Sequence, residues 1–396
     1  MRNQGSLSKS KTAVIGKGGS VLKKIIYIHH GDLNGGAPRS LRFLIERLDK
    51  ENYKPTVIYR KNEGDAKFFQ DAGAKTIFEP RIRPFHGSTV TRINAKQVAY
   101  NFVYAIPTYV AAKRIFESER PDIVHLNSTC LFMCAKAAKA VDKKVKVICH
   151  IREPLLQNIW GRILKYMNNK YCDEFVAIDQ YDATTVQTSK SRIDVIYNFV
   201  DFSSYNSKVK SDVLRRELNL SNQDVIYLLL ARLSPSNGCL ELIRQWKKCK
   251  NNKKNHLVIV GEIPGTEERY SLNCHKEAFT EENIHILNFR KDVENVIASS
   301  DVMMCPFTEP HFARAIIEGA AMGKPSLVVD VDGARELVVG GKTGFIYTNQ
   351  MELEWYVNTL SENVSLRVEM GKNAEKYALK NFNADINAAK TFSHYE

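Results

Sequence analysis

Four places along the chain carry residues able to handle a charged or hydroxyl-rich ligand. In the stretch Asp301–Pro325, Glu318 falls inside an apolar helical run of Ala315, Ile316, Ile317, Ala320 and Ala321. A carboxylate there needs a partner, because burying it unpaired is costly. Vicinal hydroxyls, such as those of a ribose, would supply two donors. Arg232 lies in the turn Ala231–Gly238, between a strand-like and a helix-like run. Its fork of donors and the backbone N–H groups of the following helix start suit a diphosphate. His150, Arg152 and Glu153 follow the apolar run Val145–Cys149 and together could hydrogen-bond sugar hydroxyls or move a proton. Gly35 and Gly36 precede a helix opened by Pro38, a favoured first-turn residue. Paired glycines let backbone come close to a ligand, and a helix N-terminus attracts anions. Plainer readings stand beside each of these: a tight strand–helix turn, a surface loop with one salt bridge, a surface arginine, and a solvated helix face. Its apolar neighbours speak against the last for Glu318.

These residues must be held by regular elements, and the chain alternates short apolar runs with longer amphipathic ones. Lys24–His29, Lys54–Tyr59, Ile123–Leu126, Val145–Cys149, Glu174–Ile178 and Asp194–Tyr197 read as strands. Pro38–Leu48, Lys96–Glu117 and Cys130–Val141 read as helices between them. Val200–Lys210, rich in Ser, Asp and Asn, reads as a linker. A second series follows at Val225–Ala231, His256–Val260, Ile284–Leu287, Val302–Cys305 and Ser326–Val329. Such alternation implies α/β architecture: two Rossmann-like, doubly wound parallel-sheet domains, with a central cleft expected between them. The expected division is a loose tail at 1–22, domains at 23–203 and 204–380, and a C-terminal helix at 381–396 that could return to the first domain. The segment Leu155–Tyr171 reads as one amphipathic helix with Leu155, Leu156, Ile159, Ile163 and Met167 on one face. Its Arg162, Lys165 and Lys170 are basic, so it could lie on an anionic leaflet or simply pack on its own domain.

The chain has 396 residues and a formal net charge of +13. Residues 1–205 hold 33 basic against 19 acidic residues, net +14; residues 206–396 hold 24 against 25, net −1. A cationic half beside a neutral one points to two domains with different partners. No helix-turn-helix, zinc-finger or RNP signature supports nucleic acid. The longest strongly apolar stretch, Phe102–Ala112, is about half a membrane span. The basic N-terminal residues lack the apolar core of a secretory signal. Eight scattered cysteines without a CxxC pair read as reduced, buried thiols of a cytoplasmic protein.

Taken in order, the motifs resemble the retaining, GT-B fold glycosyltransferases of family 4. The resemblance runs from Lys24 to the C-terminus. It rests on Gly35-Gly36, PDIVH at Pro121–His125, His150, VIYNFVD at Val195–Asp201, ARL at Ala231–Leu233 and IVG at Ile259–Gly261. It continues with the Glu309–Pro325 stretch, Asp332–Glu336 and Gly341–Ile346. The resemblance implies a nucleotide-sugar donor, UDP- or GDP-linked, as substrate, with neither cofactor nor metal. That donor would be held mainly by the second domain, and a saccharide or lipid-linked acceptor by the first. By motif match, Arg232 would bind the diphosphate and Glu318 the ribose. Glu309 would approach the donor sugar, and Gly35, Gly36 and His150 the reacting sugar from the first domain. His311, Phe312, Ala313 and Arg314 would line the sugar and phosphates, and Phe289 and Arg290 would meet the base. Arg152 and Glu153 fall on the acceptor side. His150, Arg232 and Glu309 form the expected catalytic set.

Two positions depart from the family pattern. Asn237 stands where a lysine is usual, which would make one diphosphate contact neutral. Eight residues, not seven, separate Glu309 from Glu318, and Pro310 holds the strict first position. The expectation is therefore a transferase building a cell-surface polysaccharide or glycolipid. It would dock its basic first domain on the anionic inner face of the cytoplasmic membrane. The alternatives are a catalytically weak nucleotide-sugar or carbohydrate-binding protein, a nucleotide-sugar epimerase or phosphorylase, and, on charge alone, a nucleic-acid binder.

Overall fold

A computed structural model describes residues 22–33, 35–61, 66–89, 91, 93–189, 191–250 and 254–396. The tail expected at 1–22 lies outside these residues except for Leu22. The chain divides into two compact units. The first comprises residues up to Ala177, Asp182–Asp194 and Ala388–Glu396; the second comprises Ile178–Tyr181 and Val195–Asn387.

In the first unit the strands are β1 (Lys23–His29), β2 (Tyr53–Tyr59), β3 (Lys75–Phe78), β4 (Ile123–Leu126), β5 (Lys146–Ile151), β6 (Glu174–Ala177) and β7 (Ile193–Val195). They form one sheet in the order β3-β2-β1-β4-β5-β6-β7, with β1 parallel to both β2 and β4. In the second unit β8 (Val225–Leu230), β9 (Asn255–Glu262), β10 (Ile284–Asn288), β11 (Val302–Cys305), β12 (Ser326–Val329) and β13 (Gly344–Tyr347) are ordered β10-β9-β8-β11-β12-β13. Each sheet therefore starts at its centre, grows outward, then reverses across its first strand. The reversal points lie at β1/β4 and β8/β11, and ligands of doubly wound sheets gather beyond the strand C-termini there.

Both faces of the second sheet are covered, which explains its continuous apolar strands. Ile226 and Leu228 of β8 enter one core with Val258, Met303 and Ile317; Val225, Tyr227 and Leu229 enter the other with Trp246, Leu257 and Leu353. The segment read as a linker instead packs Phe202, Tyr205 and Val209 against the first of these cores, with Val200 fully buried. Its few apolar residues are spaced widely enough to look polar in sequence.

The helix expected over Leu155–Tyr171 begins at Ile159, because Asn158 caps it by accepting from the N–H groups of Trp160 and Gly161. Leu155 lies outside, bridged to Ser88. The buried face is then Gly161, Leu164 and Asn168, and Ile159 is 59% exposed. All eight cysteines are free, seven of them buried. No helix among the described residues is long and apolar enough to cross a membrane.

Candidate functional site

Beyond β8 and β11, two loops of the second unit are fastened to each other. The β8 loop ends in the short turn Pro235–Asn237 and in Gly238, whose φ of +68° is left-handed. A Cβ at Gly238 would lie 1.9 Å from the Pro306 carbonyl oxygen, so glycine is required for the loops to meet. Thr308 completes the seam: its N–H donates to the Ser236 carbonyl (3.1 Å) and its Oγ1 to the Pro235 carbonyl (2.9 Å).

Arg232 is exposed on this seam and has no ion-pair partner among the described residues. Burial, then the Arg232 charge, holds the His311 imidazole below its usual range, although that residue keeps accessible surface. Asn237 donates its side-chain amide to the Arg232 carbonyl (2.8 Å). That bond ties the loop and leaves Oδ1 as the side chain's acceptor. Glu309 is exposed beside the seam. His311 donates its N–H to the Asp332 carbonyl (3.3 Å), linking the β11 and β12 loops.

Phe312 and Ala313 are buried and lead into the helix Arg314–Ala321. Ala313 occupies the N-cap and offers no side-chain cap, and the first turn holds no acidic residue. The first N–H groups of such a helix lack intrahelical partners and favour an anion. One turn further on, Glu318 is 4% exposed, with Oε1 3.6 Å from Nη1 of Arg314. Arg314 also donates to the Phe199 carbonyl (3.2 Å). Glu318 thus has the charged partner that its burial demands, supplied one turn earlier in its own helix.

Phe289 and Arg290 follow β10. The Phe289 ring is 46% exposed. Arg290 is committed elsewhere: Nε and Nη2 donate to the two Asp292 oxygens (3.0 and 2.8 Å), and Nη1 pairs with Glu217 at 2.5 Å. These carboxylates raise its pKa and leave little of its fork for a base.

The first unit carries its own polar cluster at the β1/β4 reversal. Gly36 opens the helix Gly36–Arg47, and Gly35 caps it with an ordinary extended backbone. A Cβ at Gly35 would meet only Pro38 Cδ, at 3.7 Å. The fold therefore does not demand a glycine at 35, which suits close approach of a ligand.

Below the glycines, Arg152 and His150 are buried at the end of β5. Arg152 donates through Nε to Asn127 Oδ1 (2.6 Å) and lies with Nη2 3.4 Å from His150 Nδ1. Asn127 is thereby turned so that its amide N faces His29 Nδ1 (3.2 Å). Burial, reinforced by the Arg152 cation, holds His150 well below its usual pKa and His29 at about 4.

Glu153 is buried too, accepting from Ser128 (2.5 Å) and Thr129 (3.2 Å) at one oxygen. Burial outweighs these bonds and pushes its carboxyl up to about 7. His150, Arg152 and Glu153 are thus gathered with Gly35 and Gly36 in one unit, and Arg232, Asn237, Glu309, His311–Arg314 and Glu318 in the other. His29, Asn127 and His125 also belong to the first cluster. Only His125 had a sequence signal, as the last residue of PDIVH.

Two family models match the chain: Glycosyltransferase Family 4 over residues 34–204, and Glycosyl transferases group 1 over 210–377. The chain is 24% identical over 328 residues to an uncharacterised 42.6 kDa protein in the cps region of Klebsiella pneumoniae, covering 76% of this chain and 83% of that one. Another relative is a Campylobacter jejuni N,N'-diacetylbacillosaminyl-diphospho-undecaprenol alpha-1,3-N-acetylgalactosaminyltransferase. It is 25% identical over 198 residues, 49% of this chain and 50% of that one. Among solved structures, Anabaena HepE in complex with UDP-glucose superposes with a TM-score of 0.76 at 21% identity, over 93% of this chain and 99% of that one. The two family models lie end to end over most of the chain, and the fold agrees with them. The protein belongs to the family 4 and group 1 glycosyltransferases of GT-B fold.

Proposed function

We propose that the protein is a retaining glycosyltransferase that moves a sugar from a nucleoside-diphosphate sugar, UDP-linked before GDP-linked, to a saccharide or lipid-linked acceptor. The observation that carries this reading is the second-unit seam. An exposed Arg232 without an ion pair among the described residues and a helix N-terminus without a side-chain cap lie where a doubly wound sheet binds ligands. As the glycosidic bond breaks, negative charge develops on the leaving diphosphate. A preorganised cation and oriented N–H groups stabilise that charge more than they stabilise the ground state. Glu318, held near Arg314, accepts the ribose hydroxyls; Glu309 reaches the donor sugar. Phe289 offers its ring to the base. In the first unit, Gly35, Gly36 and His150 take the reacting sugar, and Arg152 and Glu153 the acceptor side. Attack from the face that the leaving group occupies gives retention.

The UDP preference draws on the HepE complex with UDP-glucose, and the lipid-linked acceptor on the diphospho-undecaprenol named for the Campylobacter relative. The product would be a cell-surface polysaccharide or glycolipid. We place the enzyme in the cytoplasm, on the inner face of the cytoplasmic membrane and held there by the first unit. The helix Ala95–Glu119 exposes Phe102, Val103 and Ile106 by 69%, 62% and 70%, and Phe102 meets Trp160 edge-on at 6.1 Å. An apolar strip on a cationic unit suits the boundary of an anionic leaflet. A concavity of 530 Å³ on the same unit is lined by Lys136, Lys139, Lys143 and Lys170, with Asp173 paired to Lys139 at 2.6 Å.

Thermal-shift screening against UDP-, GDP-, ADP- and CMP-sugars tests the donor, since binding to the folded state raises Tm. A rise with UDP-sugars is expected, absent in Arg232→Ala, whose kcat falls roughly a hundredfold or more. Turnover by Arg232→Ala at the wild-type rate would remove the diphosphate assignment. Donor binding without any transfer would favour a nucleotide-sugar-binding protein, the reading suggested by Asn237, whose uncharged amide is spent on its own loop.

A further inference from the structure

Three aromatic side chains line one face of the first sheet. Tyr27 pairs in register with His125 across β1/β4, and His125 with Ile148 across β4/β5. His150 is two residues beyond Ile148 and so falls on the same face, diagonal to His125. The last residues of the chain cover this face. Tyr395 is fully buried, its ring 6.4 Å from Tyr27, 6.1 Å from Tyr53 and 5.8 Å from His125. Lys23 Nζ donates to its backbone carbonyl (3.1 Å), and its neighbour His394 lies between Glu174 (2.5 Å) and Asp194 (3.2 Å).

A continuous chain of polar contacts runs from this segment to the sugar-side histidine. The Tyr395 hydroxyl is 2.8 Å from His125 Nδ1, and His125 Nε2 is 3.2 Å from His150 Nδ1. One neutral imidazole offers one donor and one acceptor, so each contact constrains the next. Arg152 sets the direction. Its guanidinium can only donate, and it approaches the same His150 Nδ1 at 3.4 Å. That nitrogen must then be the bare acceptor, with the proton on Nε2. His125 consequently donates from Nε2 and accepts at Nδ1, and the Tyr395 hydroxyl is the donor that begins the chain. His150 Nε2 has no hydrogen-bond partner among the described residues.

We propose that Tyr395, acting through His125, is a positioning residue that holds His150 as the Nε2–H tautomer, with that donor turned over to the substrate. Arg152 acts on the same nitrogen, so the tautomer is fixed by two donors, His125 Nε2 and Arg152 Nη2, the first of them set by Tyr395. The catalytic consequence rests on the transferase reading above; the tautomer does not.

The test uses the full chain labelled with ¹⁵N-histidine. In the wild type, His125 and His150 should each show a protonated Nε2 and a bare Nδ1. Tyr395→Phe keeps the ring and removes only the hydroxyl. In it the His125 resonances should move toward a mixture of tautomers. With donor and acceptor at saturation, kcat should fall roughly tenfold while the donor KM stays within about twofold. A wild-type His150 carrying its proton on Nδ1 overturns the proposal, whether or not Tyr395→Phe folds. So does a Tyr395→Phe enzyme with unaltered histidine spectra and unaltered kcat. If the wild type transfers no sugar from any donor, the transferase reading fails while the histidine spectra still decide the relay.

Discussion

At Glu153 two opposing influences meet. Burial disfavours its charge, while the hydroxyls of Ser128 and Thr129 and the Arg152 cation favour it; burial prevails, and the carboxyl titrates at about 7. In the unfolded chain the same group titrates near 4.5. The folded state therefore binds the proton more tightly, and this residue's contribution to stability is lost as pH rises from 4.5 through 7. Glu153→Gln keeps an oxygen for both hydroxyls and removes the charge. It should be more stable than wild type by about 1–3 kcal/mol at pH 8 and no more stable at pH 4.5. Melting curves across that range check the sign, and parallel curves for the two proteins would assign the effect to another group. Arg232 and Arg290 show how far residue type alone reaches. Both follow strand-like runs in the sequence, yet only Arg232 is without a carboxylate partner among the described residues; the carboxylates that occupy Arg290 come from Glu217, the last residue of the short helix Val213–Glu217, and Asp292, the N-cap of the helix Val293–Ala298, neither of which carries a motif. The partners of His150 are still less legible, since Tyr395 lies 270 residues from His125.

Elements were readable wherever one physical cause dominated. Apolar runs that fill both faces of a sheet gave nearly every strand of the two reversal points, and with them the places of Arg232, Glu318 and His150. The edge strand β3 went unread because Lys75–Phe78 is short and half exposed, so it has neither an apolar run nor an alternation. The helix starts at Ile159, four residues after Leu155, because a single asparagine cap overrides the helical periodicity of Leu155 and Leu156. The seam between the β8 and β11 loops can be tested at its glycine. Gly238→Ala should destabilise the protein by about 1–3 kcal/mol and weaken donor binding, because a methyl group would press on the Pro306 carbonyl. Gly341→Ala is the matched control: its φ is +75° with no heavy atom within 4 Å of the added carbon, so it should cost about 1 kcal/mol and leave donor binding intact. Equal losses of donor affinity in the two variants would disconnect the seam from the donor.

Over the whole molecule, the charge surplus falls on one side of the division, and one strip of exposed apolar residues falls there with it. Residues 1–205 carry net +14, and the exposed Phe102, Val103 and Ile106 belong to that part. Phe102→Glu/Ile106→Glu should lose most binding to vesicles containing about a third phosphatidylglycerol, while its Tm shift with a soluble UDP-sugar is unchanged. Wild-type co-sedimentation that is indifferent to anionic lipid and to salt would count against the docking surface. The placement of Ala388–Glu396 also bears on how the protein is made. The sheet of the first unit emerges from the ribosome early, but Tyr395 and His394 complete its buried face only after all of Val195–Asn387 has been synthesised. Until then Tyr27, His125 and Glu174 lack their cover, and His150 lacks one of its two fixed donors. Nascent chains stopped short of residue 394 should therefore be digested readily in the first unit, even when that unit's sheet-forming strands have all been translated, and the transferase should become competent only once Tyr395 has been added.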